Sequence, residues 1–272
     1  MTPSEQLVDF IKAHPKLTVL TGAGISTDSG IPAYRNAQGQ WQQSKPMQHQ
    51  DFINHEATRQ RYWARSLIGW PTIRDAQPSI GHIALSRIEA LGYVKQIITQ
   101  NVDSLHQQAG SQHVVDLHGR ADQVKCMACD QRYSRDDIHQ RSARDNPAFA
   151  QLRAAPAPDG DAKLEDVDFS LFNVPNCSCG GILKPDVVYF GDNVPKERVQ
   201  SALDQLQQSD ALLTIGTSLM VYSGFRFCKR AHAWGLPVAG LTMGTTRADE
   251  LFSLKLSADV SSTLAQVAEK LA

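Results

Sequence analysis

The scarcities of this 272-residue chain exclude several function classes. It has no excess charge of either sign, with Lys plus Arg at 27 against Asp plus Glu at 28. That balance removes the electrostatic case for nucleic acid or an acidic membrane surface as the main partner. No apolar run approaches the roughly 20 residues of a membrane span. The opening stretch MTPSEQLVDFIKAHPKL lacks the basic start and apolar core of a signal peptide, so a cytoplasmic location is expected. It reads instead as a helix, with Thr2 and Glu5 spaced as a capping box and Pro3 in the first turn. No internal repeat is present. Apolar residues make up 42% and charged residues 20%, ordinary proportions for one large globular domain or a large domain with a small insert.

Cysteine is also sparse, at five, and the odd count argues against a disulfide framework. Four of the five cluster as Cys126-Met-Ala-Cys129 and Cys177-Ser-Cys179. Two close thiol pairs on short loops are how a chain builds a tetrahedral zinc site, and Gly180-Gly181 gives the backbone freedom to fold around a metal. A redox-active C-x-x-C beside an unrelated pair is the alternative, and a reducing compartment suits both. Cys228 stands apart in a helical segment and reads as an ordinary buried thiol.

Residues Thr21 to Arg35, TGAGISTDSGIPAYR, form the most informative stretch. They follow Leu17-Thr18-Val19-Leu20, a run with the length and branching of a buried strand. A strand that turns at Gly22-Ala23-Gly24 into a helix would bring backbone N–H groups up to a phosphate. The G-x-G-x-x-G fingerprint is incomplete, because Thr27 stands at its third glycine. Strand-like runs then recur at Lys95–Thr99, Val114–Leu117, Val187–Phe190, Ala211–Ile215, Pro237–Leu241 and Leu254–Leu256. Helical stretches lie at Ser79–Leu91, Pro195–Gln208, Gly224–Trp234 and Ser262–Leu271. This alternation predicts an α/β fold, a doubly wound parallel Rossmann-type sheet. Residues 130–176, rich in Arg, Asp, Ala and Pro, lie between the cysteine pairs and read as loops and short helices stapled by the metal. The expected division is residues 1–120 and 183–272 for a nucleotide-binding domain, with a helical or lid insert at about 36–75, and 121–182 for a small inserted zinc-binding domain.

Polar groups stand where the strands end. Gln100-Asn101-Val102-Asp103 follows one strand, His118-Gly119 a second and Gly216-Thr217-Ser218 a third. In a doubly wound sheet that edge is the ligand crevice. Histidine suits proton transfer near neutral pH. Singly, each group has a bland reading as a turn former or a satisfied polar residue. With the glycine loop, they are expected to converge on one crevice.

The blocks TGAGISTDSGIPAYR, TQNVDSLH, DLHGR, GGILKPDVVYFGD and GTSLMV, with the paired cysteines, occur in sirtuin order. Over nearly its whole length the chain resembles an NAD-dependent protein deacylase of the sirtuin family. RQRYWARSLIGWP and APDGDAKLEDVDFSLFNVPNC look like class II sirtuins, the group that includes mitochondrial lipoamidase-type enzymes. The resemblance implies NAD and Zn2+ as cofactors, and an acyl-lysine protein substrate held between the two domains. It implies that Gly22, Ala23, Gly24, Ile25 and Arg35 hold the pyrophosphate side of NAD, with Gly216, Thr217, Ser218, Thr242 and Gly244 around the adenosine half. Tyr34 would cover the nicotinamide-ribose face, Gln100 would face the ribose hydroxyls, and Asn101 and Asp103 would orient the carboxamide. His118 would be the general base, with the acyl group passing from lysine to ADP-ribose as nicotinamide leaves. Val187, Val188, Tyr189 and Phe190 resemble the edge that pairs with substrate backbone. Tyr62 and Arg65 share the Y-x-x-R spacing of relatives that take acidic acyl groups; the other reading is an arginine solvated or ion-paired on its helix. Cys126, Cys129, Cys177 and Cys179 would hold the metal. The sequence departs from the family at Ala33, where an acid is usual, at Thr242–Gly244, and in the shortened second cysteine pair. A protein mono-ADP-ribosyltransferase using the same NAD site is the alternative function.

Overall fold

The computed structural model describes residues 1–34, 36, 40, 47–157, 161–164 and 166–272. Its centre is a six-stranded, wholly parallel sheet built from β1 (Leu17–Thr21), β2 (Val94–Thr99), β3 (Val114–Asp116), β9 (Ala211–Ile215), β10 (Val238–Leu241) and β11 (Leu254–Leu256). The spatial order is β11-β10-β9-β1-β2-β3. All five residues of β1 are buried, which explains why it reads as a continuous apolar run. Successive side chains face opposite ways. Val19 packs into a core with α1 (Pro3–Ala13), α4 (Ile80–Ala90) and α10 (Val260–Leu271). Leu20 packs on the other face with α8 (Lys196–Gln207) and α9 (Tyr222–Ala233). Helices on both faces make the sheet doubly wound, as expected. The capping box at Thr2 forms in both directions, with Pro3 in the first turn. Among the described residues, no helix is long and apolar enough to cross a membrane.

A second sheet, antiparallel, holds β4 (Gly119–Cys126) between β5 (Arg132–Ser134) and β8 (Leu183–Val187). α6 (Arg135–Asp145) packs on this sheet, while α7 (Pro147–Ala150) and the paired strands β6 (Pro156–Ala157) and β7 (Asp161–Ala162) lie against the helix Glu56–Arg74. A third core joins this sheet to α2 (His49–Asn54) and α3 (Glu56–Arg74), through Phe52, Tyr62, Trp63, Leu67 and Trp70 packed with Val124, Ile138 and Leu183. The helices of the 36–75 region therefore share their core with the cysteine-bearing sheet. α5 (Leu105–Gln108) is a single turn packed against α4.

Two expectations need correction. Val187–Phe190 does not join the parallel sheet. Val187 ends β8, and the next residues are claimed by other partners: Val188 donates its N–H to the His118 carbonyl (2.8 Å) and Phe190 to that of Met47 (3.2 Å). The glycine loop after β1 does not open an α-helix but makes two short 3-10 turns, Ala23–Ile25 and Thr27–Ser29. Gly30 then stops the winding at φ 82°, and Pro32 has no N–H with which to resume it.

The chain first passes from the main sheet to the small one through a short stretch. Leu117 donates its N–H to Thr99 of β2 (2.9 Å), and the carbonyl of His118 accepts from Val188. Gly119 then turns with φ 84°, where an added Cβ would lie 1.9 Å from the Asp186 carbonyl oxygen. Gly119→Ala is expected to cost about 3 kcal/mol or more of unfolding free energy, from backbone strain and the clash together. Urea unfolding checks this; a loss below about 1 kcal/mol contradicts the tight passage.

Candidate active site

Parallel strands leave their polar residues on one edge. β1, β2 and β9 all end there, and the loops that follow line a cavity of 390 Å³. Gly22, Ala23, Gly24, Tyr34, Gln100, Asn101, Asp103, His118, Gly216, Thr217, Ser218 and Thr242 border it, as do Val187, Val188 and Phe190. The two glycine loops are in direct backbone contact. Gly24 donates its N–H to the Gly216 carbonyl at 2.8 Å, and a Cβ on Gly24 would lie 2.8 Å from Gly216 Cα. A side chain there would force the loops apart. Ile25 is buried in the first core, and neither it nor Gly244 borders the cavity. Arg35 lies outside the described residues.

Hydrogen bonds fix the polar groups. Asn101 donates its Nδ2 to the Gly22 carbonyl (3.1 Å) and to Ser26 Oγ (2.9 Å), and Ser26 donates in turn to Asp103 Oδ2 (2.7 Å). Gln100 Nε2 donates to the Thr21 carbonyl (3.1 Å) and Thr217 Oγ1 (2.9 Å). Asp103 is only 7% exposed. Burial pushes its carboxyl above the usual range, while the bonds from Leu105 N–H and Ser26 oppose the shift.

His118 is the titratable group at the junction of the two sheets. Its Nδ1 lies 2.9 Å from the Gln100 carbonyl, which can only accept, so Nδ1 carries the proton. The Nε2 lone pair is thereby directed at Ser223 Oγ, 2.8 Å away at the start of α9. Burial, the largest influence, holds the imidazole below its ordinary pKa, with the Arg198 and Arg226 charges adding to the effect. Behind the site, His82 and His106 stack edge to face at 4.7 Å. Both are buried, and desolvation takes His82 down to about 4 and His106 well below its ordinary value. They are neutral spacers under the loop, with His106 Nε2 against Thr21 Oγ1 at 2.8 Å.

A second cavity, of 490 Å³, shares Tyr34, Val187, Val188 and Phe190 with the first. Tyr62, Arg65, Trp70 and Tyr189 lie on its walls. Tyr62 and Tyr189 belong to one ring cluster with Phe52, at centroid distances of 5.3 to 5.7 Å. Arg65 is not solvated: its Nη2 is 3.0 Å from Asp161 and its Nε donates to the Ala162 carbonyl at 2.7 Å. Buried Lys184 shapes the shared wall, donating to the Pro185 and Val187 carbonyls and standing 4.5 Å over the Tyr189 ring.

Sequence reasoning brought together most of the first cavity but missed Ser26, Ser223 and Asp161. Ser26 had a signal, since it sits inside the glycine block. Ser223 and Asp161 had none, because their roles depend on partners distant in sequence.

Cys126, Cys129, Cys177 and Cys179 come together, with all four Sγ atoms within 4.8 Å of one another. Three of the separations are 3.5, 3.6 and 3.7 Å. Zinc–sulfur bonds of about 2.3 Å in a tetrahedron require S···S separations of roughly 3.8 Å, so these three separations are close to what zinc needs. All four thiols are free of disulfides. Cys228 is buried in the α8/α9 core, where desolvation pushes its thiol up to about 12.

Comparison with known proteins agrees with this geometry. A family model described as "Sir2 family" matches residues 22–223. An "NAD-dependent protein deacetylase" of Xanthomonas campestris pv. campestris (strain 8004) is 55% identical over 260 residues, covering 95% of this chain and 89% of the relative. "NAD-dependent protein deacetylase 2" of Bradyrhizobium diazoefficiens is 51% identical over 263 residues, 96% of each chain. A solved structure described as "Sir2-p53 peptide-NAD+" superposes with a TM-score of 0.77 at 26% identity, covering 98% of this chain and 97% of that one. Another, "Sir2 bound to acetylated peptide", gives 0.77 at 25% identity with the same coverage.

Purified without chelator, the protein is expected to hold about one zinc per chain, and Cys126→Ser to lower both zinc content and melting temperature. Plasma emission spectrometry and a thermal scan check this. A metal-free chain with unchanged melting would contradict the zinc site.

Proposed function

The chain belongs to the Sir2 family, and we infer from this that it is an NAD-dependent protein deacetylase. The observation that carries the reading is the convergence of Gln100, Asn101, Asp103 and His118 with two abutting glycine loops on one cavity. Transfer of ADP-ribose onto protein is not favoured, since the relatives described above carry the deacetylase name. NAD supplies the ADP-ribose that accepts the acyl group and the nicotinamide that departs.

We assign the roles of this chain's residues as follows. Gly22, Ala23 and Gly24 let the dinucleotide backbone approach closely, because no side chain stands between their loop and Gly216. Arg35 completes that side by resemblance. Asn101 and Asp103, locked by Ser26, orient the carboxamide, and Asp103 stays dry enough to hold one hydrogen-bonded arrangement. Thr217, Ser218 and Thr242 take the adenosine half, while Ile25 and Gly244 support it from behind.

His118 Nε2 is the atom that accepts a proton. Its tautomer is set by Gln100, and burial, opposed by the Gln100 bond, lowers its pKa and so favours the neutral, competent form. Ser223 occupies Nε2 until a ribose hydroxyl takes its place. We read the wall Val187–Phe190 as the edge on which the substrate backbone lies as an added strand. Its lysine would pass between the two cavities beside Tyr34, where they share a wall. The second cavity, with Tyr62 and Arg65, is then the place of the acyl group. The four cysteines hold the β4/β8 end of that wall through zinc. A division into residues 1–120 plus 183–272 and a zinc-binding unit at 121–182 serves this reading, with α2 and α3 docked on the zinc unit. The class II resemblance and a cytoplasmic location belong to the same proposal.

Incubation with NAD and an acetyl-lysine peptide is expected to yield deacetylated peptide, nicotinamide and O-acetyl-ADP-ribose by mass spectrometry. His118→Ala is expected to reduce kcat/KM by at least about 100-fold. Because the base must be neutral and burial lowers its pKa, the acid limb of kcat/KM against pH is expected below the ordinary histidine value of 6.5. NAD-independent deacetylation, or an acid limb above 6.5, would contradict the assignment.

A further inference from the structure

The second cavity carries an ion pair whose position bears on which acyl groups it accepts; this inference rests on the reading of that cavity as the acyl site. Arg65, on α3, is 12% exposed and directs its Nη2 to Asp161 Oδ2 at 3.0 Å, with Nε bonded to the Ala162 carbonyl at 2.7 Å. Asp161 is anchored from both ends, because its Oδ1 accepts the N–H of Ala162 at 2.8 Å. Both charges line the cavity. The β6/β7 hairpin thus presents a carboxylate and a carbonyl to the donors with which an arginine grips a carboxylate ligand.

The other charged groups on these walls do not replace Arg65. Arg61 and Asp51 are exposed on α3 and α2. Arg135 is only 3% exposed, shut between Trp63 and Trp70 with its guanidinium 4.6 and 5.4 Å from their centroids and bonded to Ser66; its Nη1 has no partner among the described residues but is buried out of a ligand's reach. A ligand carboxylate reaching Arg65 therefore meets a guanidinium already paired with Asp161. An uncharged acyl chain meets no such penalty, and the Tyr62, Trp70 and Tyr189 rings offer it apolar wall. We propose that Asp161 is a specificity-determining residue: by occupying Arg65 it turns the cavity away from acyl groups ending in a carboxylate and towards uncharged ones.

The test compares kcat/KM for acetyl-lysine and succinyl-lysine versions of one peptide, with NAD, across the wild type, Asp161→Asn and the double variant Asp161→Asn/Arg65→Met. The wild type is expected to prefer the acetyl peptide. Asp161→Asn is expected to raise the succinyl-to-acetyl ratio at least about tenfold, the value of one charge-assisted hydrogen bond, and the double variant to lose that gain. A wild type that prefers the succinyl peptide overturns the proposal, whatever the variants do. So does an unchanged ratio in Asp161→Asn, or a gain that survives removal of Arg65. Should Asp161→Asn fold poorly, Asp161→Ser is held to the same ratio. Wild type that deacylates neither peptide would instead overturn the deacetylase reading, so the two failures are distinct.

Discussion

Everything in this molecule depends on the two-residue passage that carries the chain from one sheet to the other. The N–H of Leu117 is spent on β2, and the carbonyl of His118 is tied to Val188 beyond β8. The histidine between these bonds is fixed relative to the parallel sheet and to the antiparallel one at once. Gly119 makes this possible, since a left-handed turn against the Asp186 carbonyl has no room for a side chain. The three larger hydrophobic cores among the described residues can then pack around the passage while the His118 imidazole stays fixed. Its orientation is inherited from two sheets, and the base role we propose for it needs that narrow tolerance.

The same economy governs the electrostatics. Gln100 turns its carbonyl to Nδ1 of His118 and its side chain to Thr217, so one residue sets a tautomer and ties the β2 exit to the β9 exit. Asn101 donates to Ser26, and Ser26 donates to the Asp103 carboxylate, so each bond orients the next. Buried polar networks of this kind are costly unless every member is satisfied, and they specify one arrangement when they are. The two histidines beneath show the complementary device: imidazoles stripped of water resist protonation, so burial disfavours a positive charge under the site.

Much of this was legible in the sequence because it is local. The capping box at Thr2, the bounds of β1, β9 and β11, and the polar groups after the strands all follow from short-range rules. The gathering of the four cysteines was legible from their paired spacing, with zinc favoured over a redox pair. What escaped was long-range. Ser26 and Asp103 are 77 residues apart, and His118 and Ser223 105 apart; no periodicity joins them. Val187–Phe190 has the branched and aromatic composition of a strand, but composition does not say which sheet a strand will join. The glycine block was misread for a physical reason: its third glycine position carries Thr27, and Gly30 with Pro32 ends the winding before an α-helix forms. The Y-x-x-R spacing likewise could not reveal that Asp161 would hold Arg65.

The most direct measurement is a crystal structure with NAD and an acetyl-lysine peptide bound together. The account predicts the carboxamide against Asn101 and Asp103, a ribose hydroxyl at His118 Nε2 in place of Ser223, and the peptide backbone along Val187–Phe190. NAD seated away from His118, or the acetyl group outside the cavity bordered by Tyr62 and Arg65, would contradict it.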